Sequence, residues 1–298
     1  MTLPSNVKII EVGPRDGLQN ETTIVSIDTR VELVNRLTEA GLQAIEVGSF
    51  VSPKWVPKMA NTDQVFKNIQ RAPGVSYTAL TPNAQGVEAA IAAQVSEVAV
   101  FPAASEPFSQ KNLNCSIEQS LQRFEAVASQ ALAHKTPVRG YISCVLGCPY
   151  QGGVEPAAVL DIAHSLLAIG CYEISLGDTI GVGTPSQARS LVDYLAQHIP
   201  IEKLAIHFHD TYGQALANIY ACLESGVSVV DSAVAGLGGC PYAKGSSGNV
   251  ATEDVLYMLQ GMNISTGIDL DSVIEAGQFI SNYLKRPNQS KVATALLS

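Results

Sequence analysis

The sequence YEISLGDTIGVGTPSQARSLVDYLAQHIPIEKLAIHFHD, residues 172–210, contains one complete repeat of the pattern that decides the fold. Two apolar runs, near 172–176 and 203–208, have the length and composition of buried β-strands. Between them, Thr184 and the proline that follows it begin a segment near 184–198 that is typical of a helix. A strand, a helix and a second strand in this order form a unit with parallel strands. The stretch therefore predicts an α/β fold.

The same alternation continues along the whole chain. Strands are predicted near 7–12, 44–48, 75–80, 96–101, 138–145, 172–176, 203–208 and 228–234. Helices are predicted near 28–40, 61–71, 83–94, 116–134, 155–169, 184–198, 213–225 and 250–261. Eight strand–helix units at intervals of about 30 residues favour a single (β/α)8 TIM barrel. The alternative is an open doubly wound sheet, but no GxGxxG turn follows the first strand.

The domain organisation follows from length and composition. Of the 298 residues, 46% are hydrophobic and 15% are charged, so the chain can bury one large core. Since there is no proline- or serine-rich linker, we expect a single catalytic domain over residues 1–298, with the barrel at about 5–262. An additional C-terminal helical segment, about 263–298, contains a helix predicted near 270–285 that packs beside the barrel.

Charge and hydropathy exclude several classes of partner. The net charge of -9 argues against nucleic acid and against an anionic membrane surface. No apolar run approaches the roughly 20 residues that a membrane span needs. The N-terminus enters an apolar strand almost at once, which leaves no room for a signal or transit peptide, so we expect a cytoplasmic protein. The six cysteines form no pair of CxxC units, and a structural zinc site is therefore not expected.

Two histidines end the strand of the opening repeat. His207 and His209 are alternate residues of that strand, so their side chains point to the same face. Two imidazoles on one face need a shared partner, and a divalent metal is the simplest one. The alternative is that each histidine separately satisfies a backbone group. The pair is therefore a candidate metal site that needs further ligands.

The motif EVGPRDGLQNE, residues 11–21, places Arg15 and Asp16 directly after the first strand. Alone, it could be a tight turn that carries a surface ion pair. Together with the two histidines, Asp16 completes a mixed oxygen and nitrogen set that suits Mg, Mn, Zn or Co. Asn249 is the candidate fourth ligand, although an asparagine directly before a helix is also a favoured N-cap.

Two further carboxylates lie in or after predicted strands. Glu46 is in the middle of AIEVG and points either into the barrel or into the helix layer. If it points inward it needs a partner, and Arg15 could supply a bidentate one. Asp178, in SLGDTIG, follows the sixth strand and is either a turn residue or a group that takes or orients a substrate proton.

A glycine-rich loop follows the eighth strand. GLGGCPYAKGSSGN, residues 236–249, is long for a connection in a barrel, and its glycines predict the mobility that a lid needs. Within it, Cys240 could be an acid, a nucleophile or only a small residue. The tetrapeptide GCPY also occurs at 147–150, so Cys148 is a second candidate thiol at the same face. The neighbouring glycines favour Cys240.

These motifs together resemble the 3-hydroxy-3-methylglutaryl-CoA lyase family. The segments that carry the resemblance are EVGPRDGLQNE, SFVSPKWVPKMA, GCYEISLGDTIGVGTP, HFHDTYGQALAN and DSAVAGLGGCPYAKGSSGN. The resemblance implies a metal site formed by Asp16, His207, His209 and Asn249. It also implies that Arg15 acts at the reacting carbonyl and Cys240 as a catalytic thiol, with Glu46, Asp178 and Glu253 in supporting roles. Thr22 departs from the pattern, since some members have a lysine there.

The reaction that the resemblance implies is cleavage of 3-hydroxy-3-methylglutaryl-CoA into acetyl-CoA and acetoacetate. It further implies an acyl-CoA substrate, a divalent cation such as Mg or Mn, a homodimer, and a place in leucine degradation and ketone body metabolism. The Arg-Asp-Gly and His-x-His motifs also occur in Claisen-type synthases. The alternatives are therefore a condensing acyltransferase that uses acetyl-CoA and a 2-oxo acid, and a non-enzymatic barrel that binds metal or CoA.

Overall fold

The computed structural model describes residues 3–239 and 248–298. In these residues eight parallel strands follow one another around a closed barrel, and the first strand pairs with the eighth as well as with the second. The strands are β1 (Lys8–Glu11), β2 (Ala44–Ser49), β3 (Ser76–Leu80), β4 (Glu97–Val100), β5 (Val138–Ser143), β6 (Glu173–Asp178), β7 (Leu204–Phe208) and β8 (Val229–Ser232). The predicted TIM barrel is therefore confirmed.

Helices surround the barrel and extend beyond it. They are α1 (Leu18–Asn20), α2 (Ile27–Glu39), α3 (Thr62–Asn68), α4 (Ala84–Ala92), α5 (Glu106–Leu113), α6 (Ile117–Ala133), α7 (Pro156–Ala168), α8 (Pro185–Ala196), α9 (Ala215–Glu224), α10 (Thr252–Gly261), α11 (Leu270–Leu284) and α12 (Lys291–Leu296). A π-helical turn covers Gly13–Gly17, and 3-10 turns cover Pro57–Met59, Ile201–Lys203 and Val234–Gly236. In the part of the chain that is described, no helix is long and apolar enough to cross a membrane.

Helix α6 illustrates how the sequence sets these elements. Ser116 accepts the N–H of Gln119 on Oγ over 3.1 Å, and the Gln119 side chain accepts the N–H of Ser116 over 3.0 Å. This reciprocal cap satisfies two N–H groups that a helix leaves free at its start. One face of the helix then buries Phe124, Val127 and Ala131 against the barrel.

Three helices are absent from the sequence prediction: the three-residue α1, and the longer α5 and α12. In α5 only Phe108 and Ser109 are buried, and in α12 only Ala293 is buried. Because so few apolar side chains face the core, neither segment shows the periodicity from which helices are recognised. Their starts are nevertheless capped, by Ser105 in α5 and by Ser290 in α12.

The strand register determines which side chains face the barrel interior. His207 pairs with Gly177 of β6 and with Asp231 of β8, so these three positions share the inner face. Phe208 pairs with Asp178, and both positions face the helix layer instead. The inner face therefore carries polar groups towards the carboxyl ends of the strands, where TIM barrels hold their sites.

The C-terminal extension packs against α2, α10 and the turn that follows β8. Helix α11 contacts α2 and the 3-10 turn Val234–Gly236 that follows β8. The Asp254 carboxylate accepts the Ser290 hydroxyl over 2.6 Å and the N–H of Val292 over 3.0 Å, which fixes the start of α12 on α10. The predicted segment 263–298 thus contains two helices where the sequence indicated one.

Candidate active site

A cavity of about 670 Å³ opens at the carboxyl ends of the strands. The residues that line its inner end include Arg15, Asp16, Tyr141, His207 and His209. They lie in the carboxyl-terminal halves of β5 and β7 or in the segments directly after β1 and β7, which places the cavity where catalytic groups of TIM barrels are found. The motifs after the first and seventh strands therefore meet in one place.

The π-helical turn after β1 positions the first motif. Pro14 lies in its first turn, and the turn packs so closely that a side chain at Gly13 would meet Oε1 of Glu11 at 2.6 Å. A side chain at Gly17 would meet Cβ of Leu237 at 2.6 Å. Glycine is required at both positions by space, and the turn consequently fits against the beginning of the glycine-rich loop.

Arg15 is held by two carboxylates. Its Nε donates to Oε2 of Glu46 over 2.5 Å, and its Nη1 donates to Oδ1 of Asp16 over 2.8 Å. Burial lowers the pKa of Arg15, but the charges of Glu46 and Asp16 raise it further, so the guanidinium stays charged. Glu46 points into the barrel and contacts Arg15 as predicted, but through one oxygen rather than as a bidentate pair. The other N–H contact goes to Asp16.

Asp16, His207 and His209 form the group that could hold a metal. One ligand atom from each lies within 4.8 Å of the others, and Oδ2 of Asp16 is 3.8 Å from Nε2 of His209. Burial raises the pKa of Asp16, but the charge of Arg15 outweighs it and brings the pKa to about 2. Burial and the neighbouring His207 lower the pKa of His209 to about 4. At neutral pH the group thus offers a carboxylate and an unprotonated imidazole.

Asn249 lies beside this group and is not a helix cap. Helix α10 begins at Thr252 with Ala251 as its N-cap, so the alternative role for Asn249 is wrong. A short bridge pairs Asn249 with His209, and its Nδ2 donates to Oδ2 of Asp16 over 2.8 Å and to the carbonyl of Leu237 over 3.2 Å. The amide is therefore in direct contact with the metal-binding candidates.

The donor set fits a divalent cation. It consists of one carboxylate, two imidazoles and a neighbouring amide, which are ligands of Mg, Mn, Zn or Co. Nδ1 of His209 is buried and has no hydrogen-bond partner among the described residues. A buried imidazole nitrogen without a partner is rare in a pocket that binds nothing. Asp16, His207 and His209 therefore lie together as the sequence predicts.

Asp231 and Arg139 were missed by the sequence interpretation. Oδ2 of Asp231 lies 3.4 Å from Nδ1 of His207, and Arg139 donates to both oxygens of Asp231 over 2.9 and 3.1 Å. Arg139 also donates to Glu173 over 2.6 Å. Arg139 and Asp231 each lie within an apolar strand, which is the signal that singled out Glu46. Asp231 therefore links His207 to Arg139 and Glu173 in one buried network.

Tyr141 is a further cavity residue that the sequence did not reveal. Its ring lies 4.9 Å from the guanidinium carbon of Arg139 and 5.9 Å from that of Arg15. It also meets the His207 ring edge-on at 5.9 Å between centroids. Burial raises the pKa of Tyr141 well above its usual value, so its hydroxyl keeps its proton. The ring packs between the two cationic groups of the site.

Asp178 and Glu253 are not part of the group formed by Asp16, His207 and His209. The Asp178 carboxylate accepts N–H groups of its own loop, from Val182 over 3.2 Å and from Gly183 over 2.8 Å. Glu253 accepts the N–H of Ala235 over 2.9 Å in the turn after β8, and burial raises its pKa to about 8. Both carboxylates hold backbone near the cavity, and neither is among the residues that line it.

Of the two candidate thiols, Cys240 lies outside the described residues. Cys148 is buried against Ala103 and Phe108, and it does not line the cavity. Gly239, the residue before Cys240, does line it.

The closed parallel barrel and the carboxylate–imidazole group at its carboxyl end define a TIM-barrel protein able to hold a divalent cation. A family model described as HMGL-like matches residues 6–280, and the chain belongs to this family. The resemblance found in the sequence motifs is thereby confirmed.

Three relatives illustrate the similarity. A 3-hydroxy-3-isohexenylglutaryl-CoA/hydroxymethylglutaryl-CoA lyase of Pseudomonas aeruginosa is 58% identical over 298 residues, 100% of this chain and 99% of that protein. A crystal structure of hydroxymethylglutaryl-CoA lyase from Pseudomonas aeruginosa is 58% identical, has a TM-score of 0.98, and is matched over 100% of this chain and 99% of that one. A structure of an HMG-CoA lyase from Acinetobacter baumannii in complex with coenzyme A and 3-methylmalate is 36% identical, with a TM-score of 0.94, over 99% of this chain and 97% of that one.

Proposed function

We propose that this protein is a carbon–carbon lyase that cleaves 3-hydroxy-3-methylglutaryl-CoA into acetyl-CoA and acetoacetate. Membership of the HMGL-like family and 58% identity to lyases of this name over the full chain support the proposal. The contact between Arg15 and Asp16 in one cavity is the observation that carries the proposal. It places the positively charged Arg15 side chain beside the residues that could bind a metal.

The reaction breaks the bond between C2 and C3 of the acyl group. The tertiary hydroxyl passes its proton to a base in the cavity, one of the two histidines or a water, and becomes the ketone of acetoacetate, while the electrons of the C2–C3 bond pass to the thioester as an enolate. A proton then adds to C2 and gives acetyl-CoA. A divalent cation, Mg or Mn, held by Asp16, His207, His209 and Asn249 would supply Lewis acidity towards the hydroxyl and carboxylate oxygens.

Arg15 stabilises the negative charge that develops on the thioester oxygen. Because Glu46 and Asp16 already bind two of its N–H groups, the guanidinium needs no reorganisation when that charge appears. A positioned donor of this kind is worth about 10²–10³ in kcat. We assign Glu46 the positioning of Arg15.

For Asp178, we propose a positioning role in place of proton acceptance. Both its oxygens accept loop N–H groups, and its register with Phe208 directs it away from the cavity. It therefore fixes the loop after β6 at the cavity rim. Return of a proton to carbon by Cys240 remains a prediction that rests on the family resemblance and on the position of Gly239 at the cavity.

The outer part of the cavity suits the coenzyme A portion of the substrate. Lys111 and Arg123 line it, together with apolar side chains such as Val51 and Phe108. Because the whole chain carries a charge of -9, only local cations can hold the phosphates. The complex of the Acinetobacter baumannii relative with coenzyme A supports this assignment. We propose that Lys111 and Arg123 bind the phosphates.

A 3-hydroxyglutaryl-CoA with a longer hydrocarbon substituent on C3 is a second candidate substrate. The Pseudomonas aeruginosa relative is named for an isohexenyl as well as a methyl substrate. In this chain Leu80, Phe101 and Tyr141 form an apolar cluster that lines the same cavity. An apolar wall of this kind would accept a hydrocarbon chain.

We further propose that the protein acts as a cytoplasmic homodimer with one catalytic domain over residues 1–298, in leucine degradation and ketone body metabolism. The family membership and its match to residues 6–280 support the domain proposal. Light scattering coupled to gel filtration tests the dimer: a mass of twice 31.4 kDa is expected, and a monomer at micromolar concentration would contradict it.

The deciding experiment follows both products. Metal-stripped protein is incubated with 3-hydroxy-3-methylglutaryl-CoA, Mg or Mn is added, and acetoacetate and acetyl-CoA are measured. We expect both products in equal amounts, and only with metal. If metal binds but no product forms, free CoA is sought with acetyl-CoA and 2-oxo acids, and its release would establish the condensing alternative. The isohexenyl substrate is assayed in parallel.

A further inference from the structure

In the C-terminal extension, the Arg286 side chain contacts two active-site loops at once. Its Nη1 donates to Oε1 of Glu21 over 2.6 Å, and its Nη2 donates to the carbonyls of Ala235 and Gly236 over 3.1 and 3.2 Å. The Arg286 and Glu21 side chains are 16% and 10% exposed, so water competes little for these bonds. Three acceptors from two loops therefore meet at one guanidinium.

One arm of this contact leads to Asp16. Glu21 is the last residue of the first motif and the C-cap of α1, which begins two residues after Asp16. Within that turn, the Asn20 side chain donates to the carbonyl of Asp16 over 3.1 Å. Holding Glu21 thus fixes the far end of the short segment that carries Arg15 and Asp16.

The other arm leads to Asn249. Ala235 and Gly236 have φ of 58° and 57°, a left-handed turn that is unfavourable for alanine by roughly 1 kcal/mol or more. This turn leads into Leu237, whose carbonyl accepts the Asn249 amide over 3.2 Å. The N–H of Ala235 is held by Glu253, and its carbonyl accepts hydrogen bonds from Arg286 and from the N–H of Gln289, so the strained peptide is fixed from both sides.

We propose that Arg286 is a positioning residue that holds Asp16 and Asn249 at the separation a shared cation requires. The active site is then incomplete without the C-terminal extension. Arginine suits the task because its planar fork serves a carboxylate and two carbonyls at once, which a lysine cannot do. Arg286 does not line the cavity, so it acts through the two loops and touches no substrate.

The test compares Arg286→Met with a matched control, Arg71→Met. Arg71 also joins carbonyls of another loop, Ala93 and Gln94, but it precedes β3 at the opposite end of the barrel. Mn²⁺ affinity is measured by calorimetry on the full chain, with Tm and kcat alongside. Arg286→Met should weaken Mn²⁺ binding at least tenfold, the lower range for residues that orient metal ligands. Arg71→Met should leave Mn²⁺ affinity within twofold of wild type.

Two more variants keep the proposal decidable. Glu21→Gln should also weaken Mn²⁺ binding, and this variant tests the proposal even if Arg286→Met fails to fold. Arg286→Lys should bind Mn²⁺ more tightly than Arg286→Met but more weakly than wild type. Unchanged affinity in Glu21→Gln and in a folded Arg286→Met, or an equal loss in Arg71→Met, would overturn the proposal. The kcat readout rests on the proposed function, but Mn²⁺ affinity does not. A wild type that binds Mn²⁺ without lyase activity would contradict the function alone.

Discussion

Nδ1 of His207 lies 3.4 Å from Oδ2 of Asp231, on the side of the ring away from the cavity. Burial raises the pKa of Asp231, but the guanidinium of Arg139 outweighs it and brings the pKa to about 2, so the carboxylate is charged. A carboxylate at Nδ1 favours the tautomer with its proton there, which leaves the lone pair of Nε2 for the cavity. The pairing of β7 with β8 therefore determines which nitrogen His207 offers.

Replacement of Asp231 by asparagine should weaken metal binding about 10- to 100-fold, because the His207 ring loses the charged partner that orients it. Stability should also fall by roughly 2–4 kcal/mol, since Arg139 loses one of its two buried counter-ions. The control is Ser175→Ala, which removes a 2.7 Å hydroxyl hydrogen bond to the same carboxylate but leaves its charge in place. Mn²⁺ calorimetry with urea unfolding checks both effects, and unchanged affinity in Asp231→Asn would exclude the orienting role.

Replacement of Arg15 by methionine should lower kcat about 10²–10³-fold while the fold and the metal content stay near normal. Methionine fills the space at this 7% exposed position, and Glu46 takes up a proton because the Arg15 charge no longer lowers its pKa against burial. The positive charge that faces the enolate is lost. Arg36→Met is the control, because its ion pair with Glu32 lies exposed on α2. Steady-state kinetics and metal analysis are compared for the two variants. Retention of most activity in Arg15→Met would remove Arg15 from the chemistry.

The barrel and much of its candidate site can be predicted from the sequence, since both depend on local patterns. Apolar runs separated by amphipathic segments indicate the strands, and residues after strands in the same sheet must share one edge. His207 and His209 share a face for the same reason. Asp16 then meets them because β1 and β7 flank β8 in the closed barrel.

What the sequence cannot decide is the direction of a side chain whose neighbours are set by long-range pairing. Glu46 was equally compatible with the interior and the helix layer, and only the register of β2 places it beside Arg15. Asp178 pairs with Phe208, and its side chain therefore points into the helix layer instead of the barrel interior. Asp231 and Arg139 carry the same signal as Glu46, a charge within an apolar strand, but their partnership spans 92 positions.

Removal of the metal should lower thermal stability as well as activity. A cation that binds only the folded state stabilises it by about 2.7 kcal/mol at a concentration of 100 Kd, so Mn²⁺ should raise the Tm of chelator-treated protein. His209→Ala should abolish this rise, because it removes one of the four proposed ligands. His134→Ala, on the exposed C-terminal end of α6, should keep it. Differential scanning calorimetry with and without Mn²⁺ distinguishes them, and an equal rise in all three proteins would place the cation elsewhere.

The pH dependence of stability should change when Glu97 is replaced by glutamine. Glu97 is 8% exposed at the inner face of β4 and accepts the Tyr172 hydroxyl over 2.7 Å; burial raises its pKa to about 7. Between its usual value near 4.5 and about 7, the native protein holds a proton that the unfolded chain has lost, so this residue makes stability fall as pH rises. Glutamine does not titrate. Relative to wild type, Glu97→Gln should therefore gain roughly 1–3 kcal/mol in free energy of unfolding between pH 5 and pH 8. Urea unfolding at both values measures it, with the exposed Glu88→Gln as a control that should show no such gain. A constant difference between Glu97→Gln and wild type would mean that Glu97 is ionised throughout this range.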